Sequence, residues 1–202
     1  MNFVGHQANI PAEERVRGAA RRTPMLAGRV AANGPYGWHA ESADLPTRLH
    51  AGFGLHRWGG MPVHQAANLV ARSNRLAVFL RRGLVPPPGL KRELDATETR
   101  GREVFTGGEA GCSGCHKPET DYTDRVAYPI ARVPIRPGFD DDADKEFKTP
   151  SLKFVGGRPP YFHDGRASSL EWLIDNNDDR MGHTNQLTPA DRGALLAFLR
   201  TL

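Results

Sequence analysis

The chain has 202 residues, of which 39% are apolar and 25% charged, with 22 Gly and 16 Pro; this allows one ordinary domain or two small ones, rich in loops and short helices. The formal charge of +4 is uneven, with 11 basic against 4 acidic residues in 1–90 (net +7) and 16 against 19 in 91–202 (net −3). The basic residues lie among Gly and Ala with no aromatic interleaving, so nucleic-acid binding is not expected, and no apolar run approaches the ~18 residues of a membrane span.

Met1 to Arg22 is polar and lacks the apolar centre of a signal peptide. Residues 11–22 can start a short helix with a weak apolar face. Residues 23–62 read as ordered loop with a helix near 44–50. Residues 63–82 read as a helix carrying Leu69, Leu76, Val78, Phe79 and Leu80 on its later turns. Pro86-Pro87-Pro88-Gly89 then breaks the chain. A boundary there divides it into 1–88 and 89–202.

Asp95 and Glu98 have the spacing of a capping box. From it a helix with Leu94, Glu98, Gly101 and Phe105 at helical spacing runs into Gly107-Gly108. Residues 117–147, with four prolines and an Asp run, read as a long solvated loop; the run lacks the Gly and Glu positions of an EF-hand. Thr188 caps the last helix, Pro189 takes its first position and Asp191 its third. Leu195, Leu196, Phe198, Leu199 and Leu202 form its apolar stripe. The fold class is mainly α.

A faint repeat runs through the chain. Arg22-Thr23-Pro24-Met25-Leu26 echoes Lys148-Thr149-Pro150-Ser151-Leu152. Pro35-Tyr36-Gly37-Trp38-His39 echoes Pro160-Tyr161-Phe162-His163-Asp164, and Val78-Phe79-Leu80-Arg81 echoes Ala197-Phe198-Leu199-Arg200. Three matches in one order suggest the later part of one unit followed by a whole second one.

The two cysteines lie in Cys112-Ser113-Gly114-Cys115-His116, a C-x-x-C-H motif. Two thiols at this spacing reach the two vinyl groups of one porphyrin edge, and the adjacent imidazole reaches the iron. Cys112 and Cys115 are therefore expected to attach one haem c, with His116 as proximal ligand. A zinc site would need further Cys or paired His, and a redox dithiol a βαβ setting. Candidates for the far face of the iron are Met181, His163 and His183, besides an open position. Met181 is preferred, because its thioether suits ferrous haem and its polar surroundings offer no core stripe to join.

Lys148-Thr149-Pro150-Ser151-Leu152, Pro160-Tyr161-Phe162-His163-Asp164-Gly165, Ser169-Leu170-Glu171, Met181-Gly182, Gln186-Leu187 and the closing Ala197–Leu202 together resemble the second domain of bacterial di-haem cytochrome c peroxidases. Residues 20–84 more weakly resemble the end of the family's first haem domain. The resemblance implies a cytochrome c-like domain with long loops, preceded by a partial, degenerate cytochrome c-like segment. It implies a high-potential electron-entry haem with His116 and Met181 as iron ligands. His163 would order the pocket, and Tyr161 and Arg166 would contact propionates. Trp38 stands near the expected junction as a candidate electron relay, against the commoner role of a buried structural Trp. The family's other haem motif has no counterpart before Arg22. His39, His50, His56 and His64 are each more often surface or hydrogen-bonded histidines than leftover ligands. Met61 and His56, near Trp58, are the first places to look for one.

Peroxide reduction needs an open iron position and an acid–base group beside it. A His/Met haem offers neither, so the chain as given is expected to transfer electrons, with a small redox protein as partner. A di-haem peroxidase whose other haem domain lies upstream is the alternative. A haem-bearing sensor or structural domain, and a chain with no haem, are further rivals. Haem attachment to C-x-x-C-H happens outside the cytoplasm, so the expected location is periplasmic or extracellular, with a targeting segment removed or a longer parent chain. Replacing both cysteines, Cys112→Ala with Cys115→Ala, should abolish covalent haem; a haem-stained band surviving denaturing electrophoresis would contradict the assignment.

Overall fold

The computed structural model describes residues 21–26, 30, 32–55, 68–83, 92–129 and 144–202. The expected helix at 11–22, the boundary at 88, the Asp140–Asp142 run and His56, Trp58, Met61 and His64 lie wholly or almost wholly outside the described residues.

Among the described residues the α-helices are α1 (Leu45–Leu55), α2 (Leu69–Arg82), α3 (Ala96–Thr106), α4 (Leu170–Asp175) and α5 (Pro189–Leu199). Two two-residue strands, β1 (Ala127–Tyr128) and β2 (Phe147–Lys148), pair antiparallel, Ala127 with Lys148 and Tyr128 with Phe147. This pairing involves the stretch 117–147, whose residues 130–143 lie outside the described residues. Among the described residues no helix is long and apolar enough to cross a membrane.

The caps form as their residues dictate. Asp95 accepts from the Glu98 amide at 2.9 Å and Glu98 accepts from the Asp95 amide at 2.9 Å. Arg92 holds both Glu98 oxygens, at 2.6 and 2.7 Å. Thr188 accepts from the Asp191 amide at 3.1 Å. Helix α4 is capped by Ser169, which accepts from Trp172 at 3.0 Å.

The main core lies where α3 crosses α5. Phe105, Leu195, Phe198 and Leu199 are buried there, with Val104, Val155, Leu170 and Ile174. The Phe105 and Phe198 rings are 5.5 Å apart, and Phe105 meets Tyr122 edge-on at 5.9 Å. Gly101 makes the crossing possible: a Cβ there would stand 1.9 Å from the Ala194 carbonyl oxygen. A second, smaller core joins Val30, Leu45, Ala77 and Leu80, with Tyr36, between α1 and α2. Val78 and Phe79, on the other side of α2, are exposed.

The repeat has a structural counterpart. Tyr36 bridges to Ser42 and Tyr161 to Ala167, each across six residues. In both loops φ is positive at the first and fourth positions after the tyrosine: Gly37 and Ala40, Phe162 and Gly165. In both, a helix starts nine residues after the tyrosine on a buried leucine, Leu45 or Leu170. The third match is partial. Leu80 and Leu199 are both buried, but Phe79 is exposed where Phe198 is buried.

The first segment lies against the second half. The Arg22 amide donates to the His163 carbonyl at 2.5 Å, and the Lys148 amide to the Trp38 carbonyl at 2.8 Å. His39 donates from Nδ1 to the Glu146 carbonyl at 2.6 Å, which leaves its Nε2 to accept from Arg21 at 2.9 Å.

Gly101→Val should destabilise the fold by at least ~3 kcal/mol, because the clash is with backbone that cannot yield. Gly193→Ala, at an exposed position of α5 with open space around it, should instead stabilise by ~0.5–1 kcal/mol. Denaturant titration followed by circular dichroism checks both; a neutral Gly101→Val would contradict the close crossing.

Candidate functional site

The C-x-x-C-H motif follows α3 directly. Gly111 takes a positive φ of 67° and starts a tight 3-10 turn over Cys112–Gly114. The His116 amide closes this turn on the Cys112 carbonyl at 2.9 Å. Cys112 is buried, and burial pushes its thiol up to about 11, so it is protonated at neutral pH. Cys115 is half-buried. Both are free thiols.

His116 is set by its carbonyl neighbour. Its Nδ1 lies 3.0 Å from the Tyr122 carbonyl oxygen, which can only accept. Nδ1 must carry the proton, which leaves the Nε2 lone pair for a ligand. Burial lowers the imidazole pKa below its ordinary value, against the Tyr122 and Pro150 backbone and the Asp124 charge. The ring is thus neutral at pH 7, the form that binds metal.

His116 and Cys112 line a cleft of about 970 Å³, part of it open to solvent. Its walls are the core itself: Phe105, Leu195 and Leu199 from α3 and α5, Leu170, Leu173 and Ile174 from α4, and Leu152 and Val155 from the loop between. Met181 lines the same cleft, as do Tyr161 and His163.

The Met181 loop is held by hydrogen bonds. Its amide donates to Asn177 Oδ1 at 2.9 Å, and Asn177 Nδ2 donates to the Gly182 carbonyl at 2.6 Å. The His183 amide then donates to the Ala110 carbonyl at 2.8 Å. Gly182 has φ +95°, and a Cβ on it would meet the Ala110 oxygen at 2.4 Å and Cys112 Sγ at 3.3 Å. Only glycine lets the methionine loop lie this close to the cysteine loop.

The other expected site residues divide. His163 is buried, stacked on Phe147 at 4.0 Å with Trp38 edge-on at 6.5 Å. Tyr161 lines the cleft but spends its hydroxyl hydrogen on the Val155 carbonyl at 2.7 Å. Arg166 and Cys115 are not among the cleft-lining residues. Arg166 is paired with Asp164; burial would raise that carboxyl, but the guanidinium holds it below its ordinary value. His183 and His50 are exposed. Trp38 lines the cleft and donates from Nε1 to the Arg22 carbonyl at 3.2 Å.

Arg22 and Arg158, not among the expected site residues, also line the wall, as does Lys148. Arg158 is buried, and its Nε and Nη1 have no partner among the described residues. An apolar cleft with a cationic edge fits a large flat apolar group bearing carboxylates, and haem is such a group. Among the described residues no three of His, Cys, Asp and Glu lie together to hold a metal directly.

No protein-family model matches the chain. The chain is homologous to the methylamine utilization protein MauG of Methylorubrum extorquens, 30% identical over 130 aligned residues that take in 56% of this chain. The match spans 36% of that relative's length. Among solved structures, a chain of Kuenenia stuttgartiensis hydrazine synthase shares the fold, with a TM-score of 0.64 at 20% identity over 94% of this chain and 74% of its own. A MauG-like protein associated with microbial copper homeostasis aligns with a TM-score of 0.63 at 20% identity, over 93% of this chain and 77% of its own. These likenesses bear out the mainly helical, cytochrome c peroxidase-type fold.

Asn177→Ala should leave the Met181 amide and the Gly182 carbonyl without their side-chain partners, at a cost of ~2–3 kcal/mol. Amide hydrogen exchange should quicken at Met181 and His183 before the α5 amides change. Unchanged protection at Met181 would show that Asn177 does not hold the loop.

Proposed function

We propose that the chain is a c-type haem electron-transfer module. One haem would be joined to Cys112 and Cys115, with His116 and Met181 as the residues that would hold its iron. The observation that carries this reading is the meeting of His116 and Met181, far apart in sequence, in one apolar cleft beside Cys112. The kinship with MauG, a di-haem cytochrome c peroxidase-like protein, supports haem-based redox chemistry in general.

Bound in the cleft, haem c would supply one-electron redox chemistry. The chain's own residues do the rest. Tyr122 fixes the His116 tautomer. The Met181 thioether favours the ferrous state and raises the potential. The apolar walls from α3, α4 and α5 lower the local dielectric, which acts in the same sense. With both His116 and Met181 held to the iron, electron transfer rather than peroxide reduction would be the activity of this chain by itself. His163, stacked on Phe147, orders the wall. We place the protein in the periplasm or outside the cell, with a small redox protein as partner.

A second reading, part of a two-haem peroxidase, is favoured by a second cleft. It measures about 780 Å³ and is lined by Leu26, Val30, Tyr36 and Leu45. Their repeat counterparts Leu152, Val155, Tyr161 and Leu170 line the first cleft, and Trp38 lines both. The exposed Phe79 stands where Phe198 packs against α3. An upstream haem domain would use this cleft and cover that face, with Trp38 between the haems. This reading predicts peroxide-dependent oxidation of a reduced partner once that domain is joined.

Expressed with c-type maturation machinery, the chain should give a pyridine haemochrome spectrum of one haem c per chain. Met181→Ala should lose the sulfur-to-iron band near the red end of the oxidised spectrum and lower the potential. Absence of haem would overturn the reading; an unchanged band would remove Met181 and turn attention to His163.

A further inference from the structure

Among the described residues, three buried side-chain polar atoms lack a hydrogen-bond partner, and two of them belong to Arg158. This arginine is 5% exposed and sits in the cleft wall. Its Nη2 donates to the Ser151 carbonyl at 2.7 Å; Nε and Nη1 donate to nothing. A buried guanidinium left this way is costly unless a counter-charge meets it.

Arg22 stands beside it. Its amide donates to the His163 carbonyl, its carbonyl accepts from Trp38, and its Nη2 donates to the Arg158 carbonyl at 2.6 Å. These contacts hold the Arg22 side chain at the cleft instead of in solvent. Among the described residues neither guanidinium is paired with a carboxylate. The nearby Asp164 is committed to Arg166. Burial and the neighbouring Arg22 charge bring Arg158 down to about 10, so it remains a cation at neutral pH.

We infer that Arg158 and Arg22 form a carboxylate-binding site at the edge of the cleft, which takes the propionates of the bound haem. The inference rests on the haem reading above and deepens it. Arginine suits the role because its planar donors pair a carboxylate in two directions. The two residues come from the first segment and from the loop before Tyr161, so a bound carboxylate also ties residues 21–26 to the second half. The pair has an electrical consequence. Reduction adds one electron to the haem, and nearby cations that neutralise its carboxylates favour the reduced form.

The test uses the full chain loaded with haem, with haem content measured separately by pyridine haemochrome. Arg158→Met should lower the midpoint potential by an amount equal to roughly tenfold in the reduction equilibrium, ~59 mV for one electron, and should shift the propionate bending band in the resonance Raman spectrum. Arg22→Gln should do the same to a smaller extent. Arg158→Lys, which keeps the charge but not the planar fork, should keep most of the potential and still shift the band. Arg100→Gln removes an equal charge from an exposed side chain paired with Asp191 and should change neither. If Arg158→Met does not fold, Arg158→Lys and Arg22→Gln decide. Haem-loaded variants with the wild-type potential and Raman band would overturn the inference and leave the haem reading standing. A wild-type chain without haem would overturn both.

Discussion

At Gly101 the backbone of α3 comes so close to the Ala194 carbonyl that a methyl group could not fit between them. That approach brings Phe105 against Phe198 and sets Leu195 and Leu199 beside it, and three of these four residues also wall the cleft. The two helices therefore do two jobs with one surface. The C-x-x-C-H turn starts a few residues after α3 ends, so the same crossing decides where His116 points. Loosening it would move the ligand, not only weaken the fold.

The cleft is governed by what surrounds its few polar atoms. Desolvation favours the neutral form of His116, and Tyr122, which offers only an acceptor, fixes its tautomer. Met181 reaches the same space through a loop pinned by Asn177 and allowed by Gly182. Opposite charge enters at one edge through Arg22 and Arg158. An apolar interior with a cationic rim is selective: it rejects small hydrated ions and suits a flat hydrophobic group whose carboxylates lie on one side.

Features carried by adjacent residues were legible in the sequence. The capping box at Asp95 and Glu98, the Thr188 cap with Pro189, and the C-x-x-C-H spacing each express a local rule, and α3 and α5 stand between their expected ends. The repeat was legible too, and recurs as matched turns at Tyr36 and Tyr161. What was not legible is non-local. Helix α4 has six residues, too few for a periodic pattern. The pairing of β1 with β2 joins residues about twenty apart in sequence and leaves no local signature. Arg158, between glycines and prolines, reads as a surface arginine; only the folded chain shows it buried. Arg22 reads as part of a basic run until the first segment is laid on the second half. Phe79, alike in sequence to Phe198, is exposed because α3 packs on one helix and not on the other.

The central claim is that a haem is covalently seated between His116 and Met181 at this crossing. Proteolytic peptide mapping by mass spectrometry of the wild-type chain, matured in the periplasm, tests it most directly. The account predicts one haem mass on the single peptide that spans Cys112 to His116, with no free thiol there. Unmodified thiols at Cys112 and Cys115 under those conditions would contradict it.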